Sequence, residues 1–514
     1  MASPTPDAGG ATSPRAGQMG GERVSRSATF ALLAQLVGGL LTAVLTIFLG
    51  RALSAAQFGS FTFALGVITI ATLFVDFGIA SASGRFIAER RDQPAAAAAV
   101  FRTSLRLKLI TGIPATVALL VLARPICVAF GTAGATWALR GCAIALLAQT
   151  LFNLFLGTFI ALGKLRYNVV LAAVESVAEV SASLPLVVLS GTAAAASYGR
   201  AIGFAVGLLA AIVLARKTFD GQARRGRRAA LDGEAEVSGR QILSYAGPLL
   251  LIDAAFRVFG AIDVLLIAAI LGGGARVAAF GLPLRLTLFL EYPAAAVASA
   301  VAPRLTHRHT GEDMALLAQS MRYLAIMQML LTVPLLIWPE AIMHLLFGDK
   351  YAEAPEVLLA LAPFVLLSGV AQLTTLTVNF LGEAWRRVPV AVLMLAVNVL
   401  IDVVLLPRIG IVAGAIGTSV AYAVWVPAHI WILRKRGGLP VRPFLLTLTR
   451  CTLAGGAMLG VLALLGSGRV SIPVMLLGAV AGPASYVAVL FALGELGRGD
   501  IAVARRLLPR RGLA

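Results

Sequence analysis

Two long apolar segments with charges set inside them decide the fold: residues 243–304 read LSYAGPLLLIDAAFRVFGAIDVLLIAAILGGGARVAAFGLPLRLTLFLEYPAAAVASAVAPR. Each segment is long enough to cross the roughly 30 Å hydrocarbon core of a bilayer as a helix. An ionisable group at the bilayer centre costs roughly 2.5–3.5 kcal/mol on insertion scales. We therefore expect the charged side chains to face a helix bundle or a wet cavity. They are Asp253, Arg257, Asp263, Arg285 and Glu291.

The composition of the whole chain is that of a polytopic membrane protein. Hydrophobic residues make up 59% of the 514 residues and charged residues 13%, against about 45–50% and about 25% in soluble proteins. The net charge of +19 follows the membrane topology described next, so we expect no nucleic-acid partner. The three cysteines are scattered and the four histidines do not cluster, which predicts neither a disulfide framework nor a metal site.

Apolar segments long enough to span a membrane recur along the chain. They predict fourteen transmembrane helices, at 27–50, 60–84, 104–123, 138–162, 169–189, 194–215, 244–271, 278–303, 320–341, 357–381, 389–406, 412–433, 445–466 and 472–494. Most of the 43 lysines and arginines then fall on one side of the membrane. The positive-inside rule assigns that side, with both termini, to the cytoplasm.

The two halves of the chain carry the same short motifs, offset by about 220 residues. LG and FG pairs occur at 49–50 and 58–59, and again at 271–272 and 280–281; a second LG pair stands at 162–163 and at 381–382. This repeat predicts two six-helix halves in parallel orientation with a site between them. The predicted units are a disordered cytoplasmic tail (1–26), the first half (27–215), a basic linker (216–243), the second half (244–436), two further helices (437–494) and a basic tail (495–514).

Several of these motifs, in this order, resemble those of bacterial oligosaccharide (O-antigen type) flippases. The matching stretches are FLGRAL at 48–53, QFG at 57–59, VDFG at 75–78, LGKLRY at 162–167, LFG at 346–348, YAEAP at 351–355 and LPRIGIVAGA at 406–415. That family belongs to the multidrug, oligosaccharidyl-lipid and polysaccharide exporter superfamily. The chain departs from its relatives in helix 7, where their frequent Asp-Arg pair is replaced by Asp263-Val264.

The resemblance implies an all-α membrane protein of two six-helix lobes in a V, plus two C-terminal helices. It implies a multi-pass protein of the bacterial cytoplasmic membrane that exposes a central cavity alternately to each side. The implied substrate is a polyprenyl-diphosphate-linked oligosaccharide bound for surface polysaccharide, and other polysaccharide assembly proteins are compatible partners. No catalytic residue and no cofactor are expected. The expected source of energy is a proton or sodium gradient or the membrane potential.

Arginines inside the apolar segments are the candidates for binding a diphosphate. An arginine stays charged in a low-dielectric wall, and its planar fork matches phosphate oxygens. Arg257 and Arg285 are the first candidates, and Arg140 and Arg200, near the external ends of helices 4 and 6, are the next. For Arg257 the alternative is an ion pair with Asp253, four residues earlier. For Arg140 and Arg200 it is snorkelling to the interface.

Carboxylates inside the apolar segments are the candidates for ion coupling, because a desolvated carboxylate takes and releases a proton as its surroundings change. They are Glu291, Asp263, Asp253, Asp76 and Glu175. For Asp76 the alternative is a structural bond near a bend at Gly78. We expect Asp402, with Asn398 one turn before it, to be capped or hydrated near an outer helix end.

Three rival functions remain open at this point. A lipid II flippase or a multidrug exporter of the same superfamily would share the fold. An exporter of cationic drugs would favour an acidic cavity, whereas Arg257 and Arg285 offset the acids here. A membrane-embedded polysaccharide polymerase or ligase needs catalytic groups on sizeable external loops, and the predicted external loops are short. The short external loops therefore favour a transporter over an enzyme.

Overall fold

The computed structural model describes residues 38–226, 238–301, 311–381, 384–497 and 500. This part of the chain is helical throughout and contains no strand. The helices are α1 (Gly38–Ala52), α2 (Ala55–Asp76), α3 (Ile79–Glu89), α4 (Pro94–Ala129), α5 (Thr136–Ala161), α6 (Leu165–Ser190), α7 (Ala193–Gly226), α8 (Gly239–Leu271), α9 (Ala275–Phe289), α10 (Tyr292–Val301), α11 (Gly311–Ile337), α12 (Pro339–Phe347), α13 (Ala354–Ala360), α14 (Ala362–Phe380), α15 (Arg387–Ile409), α16 (Val412–Gly437), α17 (Val441–Leu465) and α18 (Ile472–Ala492).

Twelve helices of the described part are long and apolar enough to cross a membrane. They account for twelve of the fourteen predicted spans. The first predicted span is described only from Gly38, as the shorter apolar helix α1. The eighth is divided into α9 and α10. The all-α membrane fold is therefore confirmed, and the count differs for these two identifiable reasons.

The eighth predicted helix divides at Leu290 and Glu291. The N–H of Leu290 donates to Thr287 at 3.0 Å and that of Glu291 to Leu288 at 3.2 Å, so the last turn of α9 tightens to 3-10 geometry. Pro293 follows and has no N–H to continue the α-helical bonding. The break leaves Glu291 between two helices.

The second predicted helix also divides, directly after Asp76. Phe77 has φ 41°, which makes it the one non-glycine residue with positive φ in the described ranges, and Gly78 has φ 69°. A bulky residue in the left-handed region is strained, because its Cβ approaches its own backbone. This turn ends α2 and starts α3, where the sequence predicted a bend at Gly78 within one helix over 60–84.

The helices pack as two bundles with two helices added at the C-terminus. In the first half α5 and α6 pack on α7, and in the second half α14 and α15 pack on α16. The halves meet where α2 packs on α8 and α9. Outside both bundles, α17 packs on α11 and on α18.

At one end the two halves are in close contact, and we call this the closed end. A Cβ on Gly59 of α2 would lie 1.8 Å from the carbonyl oxygen of Gly274, so the two backbones touch. The Arg51 Nε donates to the Leu346 carbonyl at 2.8 Å, and the Tyr351 hydroxyl to the Gly50 carbonyl at 2.8 Å. Four of the stretches that carry the family resemblance therefore meet here.

A buried carboxylate fastens α17 and α18 to α11. Glu495 follows α18 and accepts from Arg322 of α11 at 2.6 Å, from Arg450 of α17 at 2.9 Å and from Thr447 at 2.8 Å. Burial alone would raise the pKa of Glu495, but the hydrogen bonds from Arg450, Arg322 and Thr447 outweigh it and lower the pKa. The carboxylate therefore stays charged and joins three helices.

Candidate functional site

A cavity of about 370 Å³ lies between the two halves. Its walls come from α1 and α2 on one side and from α8 and α9 on the other, with contributions from α5, α7 and α10. Three arginines line it, Arg200, Arg257 and Arg285, together with the five threonines Thr42, Thr46, Thr62, Thr69 and Thr72. The lining is therefore cationic and rich in hydroxyl groups.

Arg285 is placed in the cavity by α9. Its guanidinium lies over the rings of Phe58 and Phe61 of α2, with 5.7 and 5.5 Å from the guanidinium carbon to the ring centroids. Aromatic faces attract a cation without neutralising it or using its N–H donors. Within the described ranges no carboxylate forms an ion pair with Arg285. This arginine therefore keeps its donors for an anion.

Arg257 of α8 reaches α2 near its other end. Its guanidinium donates to the Thr72 hydroxyl at 3.0 Å and lies 3.4 Å from the Asp76 carboxylate. Asp76 also accepts from Lys108 of α4, whose side chain is only 1% exposed. The side chain of Asp253, the predicted partner of Arg257, lies outside the described residues. At 1.5 Å per residue, Phe61 and Thr72 are about 16 Å apart along α2, so Arg285 and Arg257 serve two ends of the cavity.

Arg200 lines the cavity from α7. It pairs with Glu179 of α6 at 3.1 Å, and its guanidinium carbon lies 4.8 Å from the centre of the Phe204 ring. Glu175 is buried one turn before Glu179 and accepts from the Ser176 hydroxyl at 3.1 Å. Neither Glu175 nor Glu179 is part of the cavity wall.

Arg140 is placed away from the cavity wall. Its guanidinium carbon lies 4.7 Å from the centre of the Trp137 ring, on the same helix α5. Its Nε donates to the Leu120 carbonyl at 3.4 Å. The structure therefore brings three of the four predicted arginines together and leaves Arg140 apart.

Asp263 belongs to a second polar cluster, inside the second half. Its Oδ2 accepts from the Thr418 hydroxyl of α16 at 2.6 Å, and its side chain is buried. Asp402 of α15, also buried, is the neighbouring acid. A Cβ on Gly417 would lie 2.7 Å from the Asp402 Oδ1 and 2.8 Å from the Asn398 Nδ2, so no larger residue fits there.

Three of the four carboxylate oxygens of this cluster lack a well-formed hydrogen bond within the described residues. The Asp263 Oδ1, both Asp402 oxygens and both polar atoms of Asn398 make no well-formed hydrogen bond there, although the Asp402 and Asn398 side chains lie close enough to Asp263 to share a proton or a hydrogen bond with it. Two carboxylates cannot be buried side by side as bare charges, so the cluster requires a proton or a metal cation. The prediction that Asp402 is hydrated near an outer helix end is wrong, because its side chain is 0% exposed. Tertiary packing brings it against α8.

Glu291 occupies the break between α9 and α10 and is buried. Its Oε2 accepts from the Gln372 Nε2 of α14 at 3.1 Å, while its Oε1 has no partner in the described part of the chain. The next residue, Tyr292, lines the cavity. Glu291 is thus one residue from the cavity wall, with its carboxylate bonded to the interior of the second half.

Sequence reasoning missed Lys108, Gln372 and the Asp402 cluster. Of these, Lys108 was the easiest to predict, since a lysine inside an apolar span is an anomaly of the same kind as Arg257. For Asp402 the available signal was its spacing of four from Asn398, which puts both side chains on one helix face.

A profile of the polysaccharide biosynthesis protein family matches residues 24–309. A search of curated sequences finds no match.

Solved structures share the fold at low sequence identity. The lipid II flippase MurJ in an inward closed conformation is similar with a TM-score of 0.68 and 12% identity, over 90% of this chain and 96% of that one. A multidrug resistance MATE family transporter of the MOP superfamily, inward-facing, has a TM-score of 0.60 and 16% identity, over 80% and 95%. A MOP superfamily transporter from Pyrococcus furiosus has a TM-score of 0.60 and 14% identity, over 81% and 96%.

Proposed function

Because the chain belongs to the polysaccharide biosynthesis protein family and has the fold of MOP superfamily transporters, we propose that it is a flippase for polyprenyl-diphosphate-linked oligosaccharides. It moves them across the bacterial cytoplasmic membrane by alternating access, for surface polysaccharide assembly. The observation that carries the proposal is Arg285, a cation in the cavity without a carboxylate partner among the described residues. It is a transporter and performs no covalent chemistry.

In this proposal Arg285 donates to the diphosphate oxygens. Arginine is suited to this role, since its planar fork of donors matches phosphate geometry and its charge persists in a low-dielectric wall. The threonine hydroxyls and Gln149 in the cavity wall supply donors and acceptors for sugar hydroxyls. The polyprenyl chain stays in the surrounding lipid.

We further propose that the cluster of Asp263, Asp402, Asn398 and Thr418 binds the coupling cation, a proton or sodium ion. Support comes from its unbonded carboxylate oxygens, which are buried within the second half. Oxygen donors of carboxylate, amide and hydroxyl groups suit a hard cation. Binding there reduces the negative charge of the cluster, and the cation-bound and cation-free forms favour different packings of α8, α15 and α16.

The remaining candidates follow from the same geometry. A lipid II substrate also carries a diphosphate, so the arginines fit it equally, and the sugar is the distinguishing feature. A cationic drug is disfavoured, because Arg285 would repel it.

Transport in proteoliposomes loaded with an undecaprenyl-diphosphate-linked oligosaccharide tests the proposal. Removing one charged hydrogen-bonding partner of a phosphate costs about 1.5–3 kcal/mol, so Arg285→Ala is expected to weaken substrate binding by about ten- to a hundredfold. The matched control is Arg140→Ala, which removes an arginine outside the cavity wall. Equal transport by both variants would exclude the proposed diphosphate site.

A further inference from the structure

Asp76 sits between a cation of its own half and a cation of the other half. Lys108 of α4 belongs to the first half and is 1% exposed; Arg257 of α8 belongs to the second half and lines the cavity. The carboxylate accepts from Lys108 through Oδ1 and lies 3.4 Å from Arg257 through Oδ2. Asp76 thus bonds to its own half through Lys108 and bridges the two halves through Arg257.

This bridge lies at the opposite end of the cavity from Arg285. Asp76 is the last residue of α2, immediately before the left-handed turn at Phe77 and Gly78. The Thr111 hydroxyl donates to the Val75 carbonyl at 2.8 Å, so α4 holds this end of α2 at two points, Lys108 and Thr111. The topology predicted from the distribution of lysines and arginines assigns this end to the cytoplasm.

From this arrangement we propose that Asp76 is an internal competitor of the substrate anion, and that Lys108 is the positioning residue that allows the exchange. The inference rests on the proposed function. A diphosphate entering the cavity takes the guanidinium of Arg257 in place of the Asp76 carboxylate. Asp76 then keeps Lys108 as its partner, so no uncompensated charge remains in the first half. The bridge between α2 and α8 opens as a result.

Lys108 decides how easily the exchange occurs. Without Lys108, the loss of Arg257 to the substrate would leave the Asp76 carboxylate without either of these two cations. Burying an uncompensated carboxylate is strongly unfavourable. With Lys108, the exchange replaces one charge-assisted contact of Arg257 by another. Entry of the substrate is thereby linked to separation of the two halves at this end.

The test uses the full-length protein in detergent, with undecaprenyl diphosphate as the probe and its Kd measured by thermophoresis. The double variant Asp76→Asn with Lys108→Met removes the competitor and its partner together and leaves the net charge unchanged. We expect it to bind about tenfold tighter than the wild type, and Lys108→Met alone to bind about tenfold more weakly. In an Arg257→Gln background both differences should vanish.

The outcomes separate this inference from the proposed function. If Arg285→Ala weakens binding while the double variant binds like the wild type, Asp76 is not a competitor and the inference is overturned. Differences that persist in the Arg257→Gln background would also overturn it, because they would come from long-range charge and not from exchange. If the wild type does not bind the probe, both proposals fall.

A second measurement reads the opening directly. Spin labels at Ala88 of α3 and Lys435 of α16, both exposed, report the separation of the halves at this end. We expect the probe to lengthen the distance in the wild type, and the double variant to show the longer distance without the probe. A double variant that keeps the wild-type distance would overturn the opening step.

Discussion

Replacing Gly59 by alanine is expected to open the closed end. The added Cβ would lie 1.8 Å from the Gly274 carbonyl oxygen and 2.5 Å from its carbonyl carbon, whereas ordinary contact begins at 3.4 Å. The obstacle is backbone, so no side chain can rotate away. The two backbones must move apart by roughly 1.6 Å, the difference between 1.8 and 3.4 Å, and this movement opens the closed end.

The magnitude follows from the cost of overpacking. Extra methyl groups in a tight contact cost typically about 1–3 kcal/mol, and about 1.4 kcal/mol is a factor of ten in an equilibrium. Gly59→Ala should therefore lower the closed population, relative to the open one, by about 5- to 140-fold. Gly59 lies within α2, where alanine is the better helix former by about 1 kcal/mol, so the variant is expected to fold.

Spin labels at Ser190 and Glu356, exposed on the two halves near the closed end, measure this shift. The three native cysteines are buried, so labels attach selectively to introduced cysteines. Gly157→Ala is the matched control, because a Cβ there meets nothing within 4 Å. A Gly59→Ala distance distribution identical to that of Gly157→Ala would refute the view that this glycine contact keeps the halves together.

Three further predictions concern the other polar contacts. Arg51→Met removes the donors to the Leu345 and Leu346 carbonyls. It should shift the population measured by the same labels toward the open form by about tenfold or less, since a hydrogen bond from a charged group is worth about 1.5–3 kcal/mol and these are exposed. Asp402→Asn should abolish the dependence of transport on sodium or pH while leaving the Kd for undecaprenyl diphosphate unchanged; retained dependence would remove the cluster from coupling. Hydrogen bonding from Arg322 lowers the pKa of Asp500 to about 2, so this carboxylate stabilises the fold above its ordinary pKa near 3.8 and loses that effect as pH falls through about 2. Asp500→Asn should therefore lower thermal stability at pH 7 by about 1 kcal/mol, and a pH scan should show the two proteins converging near pH 2.

The membrane fold was predictable because hydropathy and the positive-inside rule act on whole helices. The divisions at Phe77 and Leu290 were predictable only in part, because Gly78 indicates a bend after Asp76 but the sequence does not show that a bend ends the helix. Strain at one φ angle and two 3-10 bonds are local events that tertiary packing selects. The order of the spans therefore carried over, whereas some bounds moved by about ten residues, as in α4 (Pro94–Ala129 against the predicted 104–123).

The candidate site was predictable only as a set of anomalies. Arg257, Arg285 and Asp263 stood out as charges in apolar segments, which is an energetic signal independent of their partners. The partners of these charges could not be predicted, because Asp76, Lys108 and Asp402 come from other helices that packing brings close. The same signal selected Arg140, whose exposed aromatic neighbour Trp137 stabilises its charge without a role in the cavity.

The attachment of α17 and α18 has a mechanical consequence. They are fastened near one end by Glu495, and near the other by the Trp338 indole N–H, which donates to the Gly466 carbonyl at 2.8 Å. Arg322 and Trp338 both belong to the second half, so α17 and α18 move together with that half. During the alternating access that we propose, the second half therefore displaces more of the surrounding lipid than the first. A more viscous membrane should then slow the conformational change mainly by its drag on the second half.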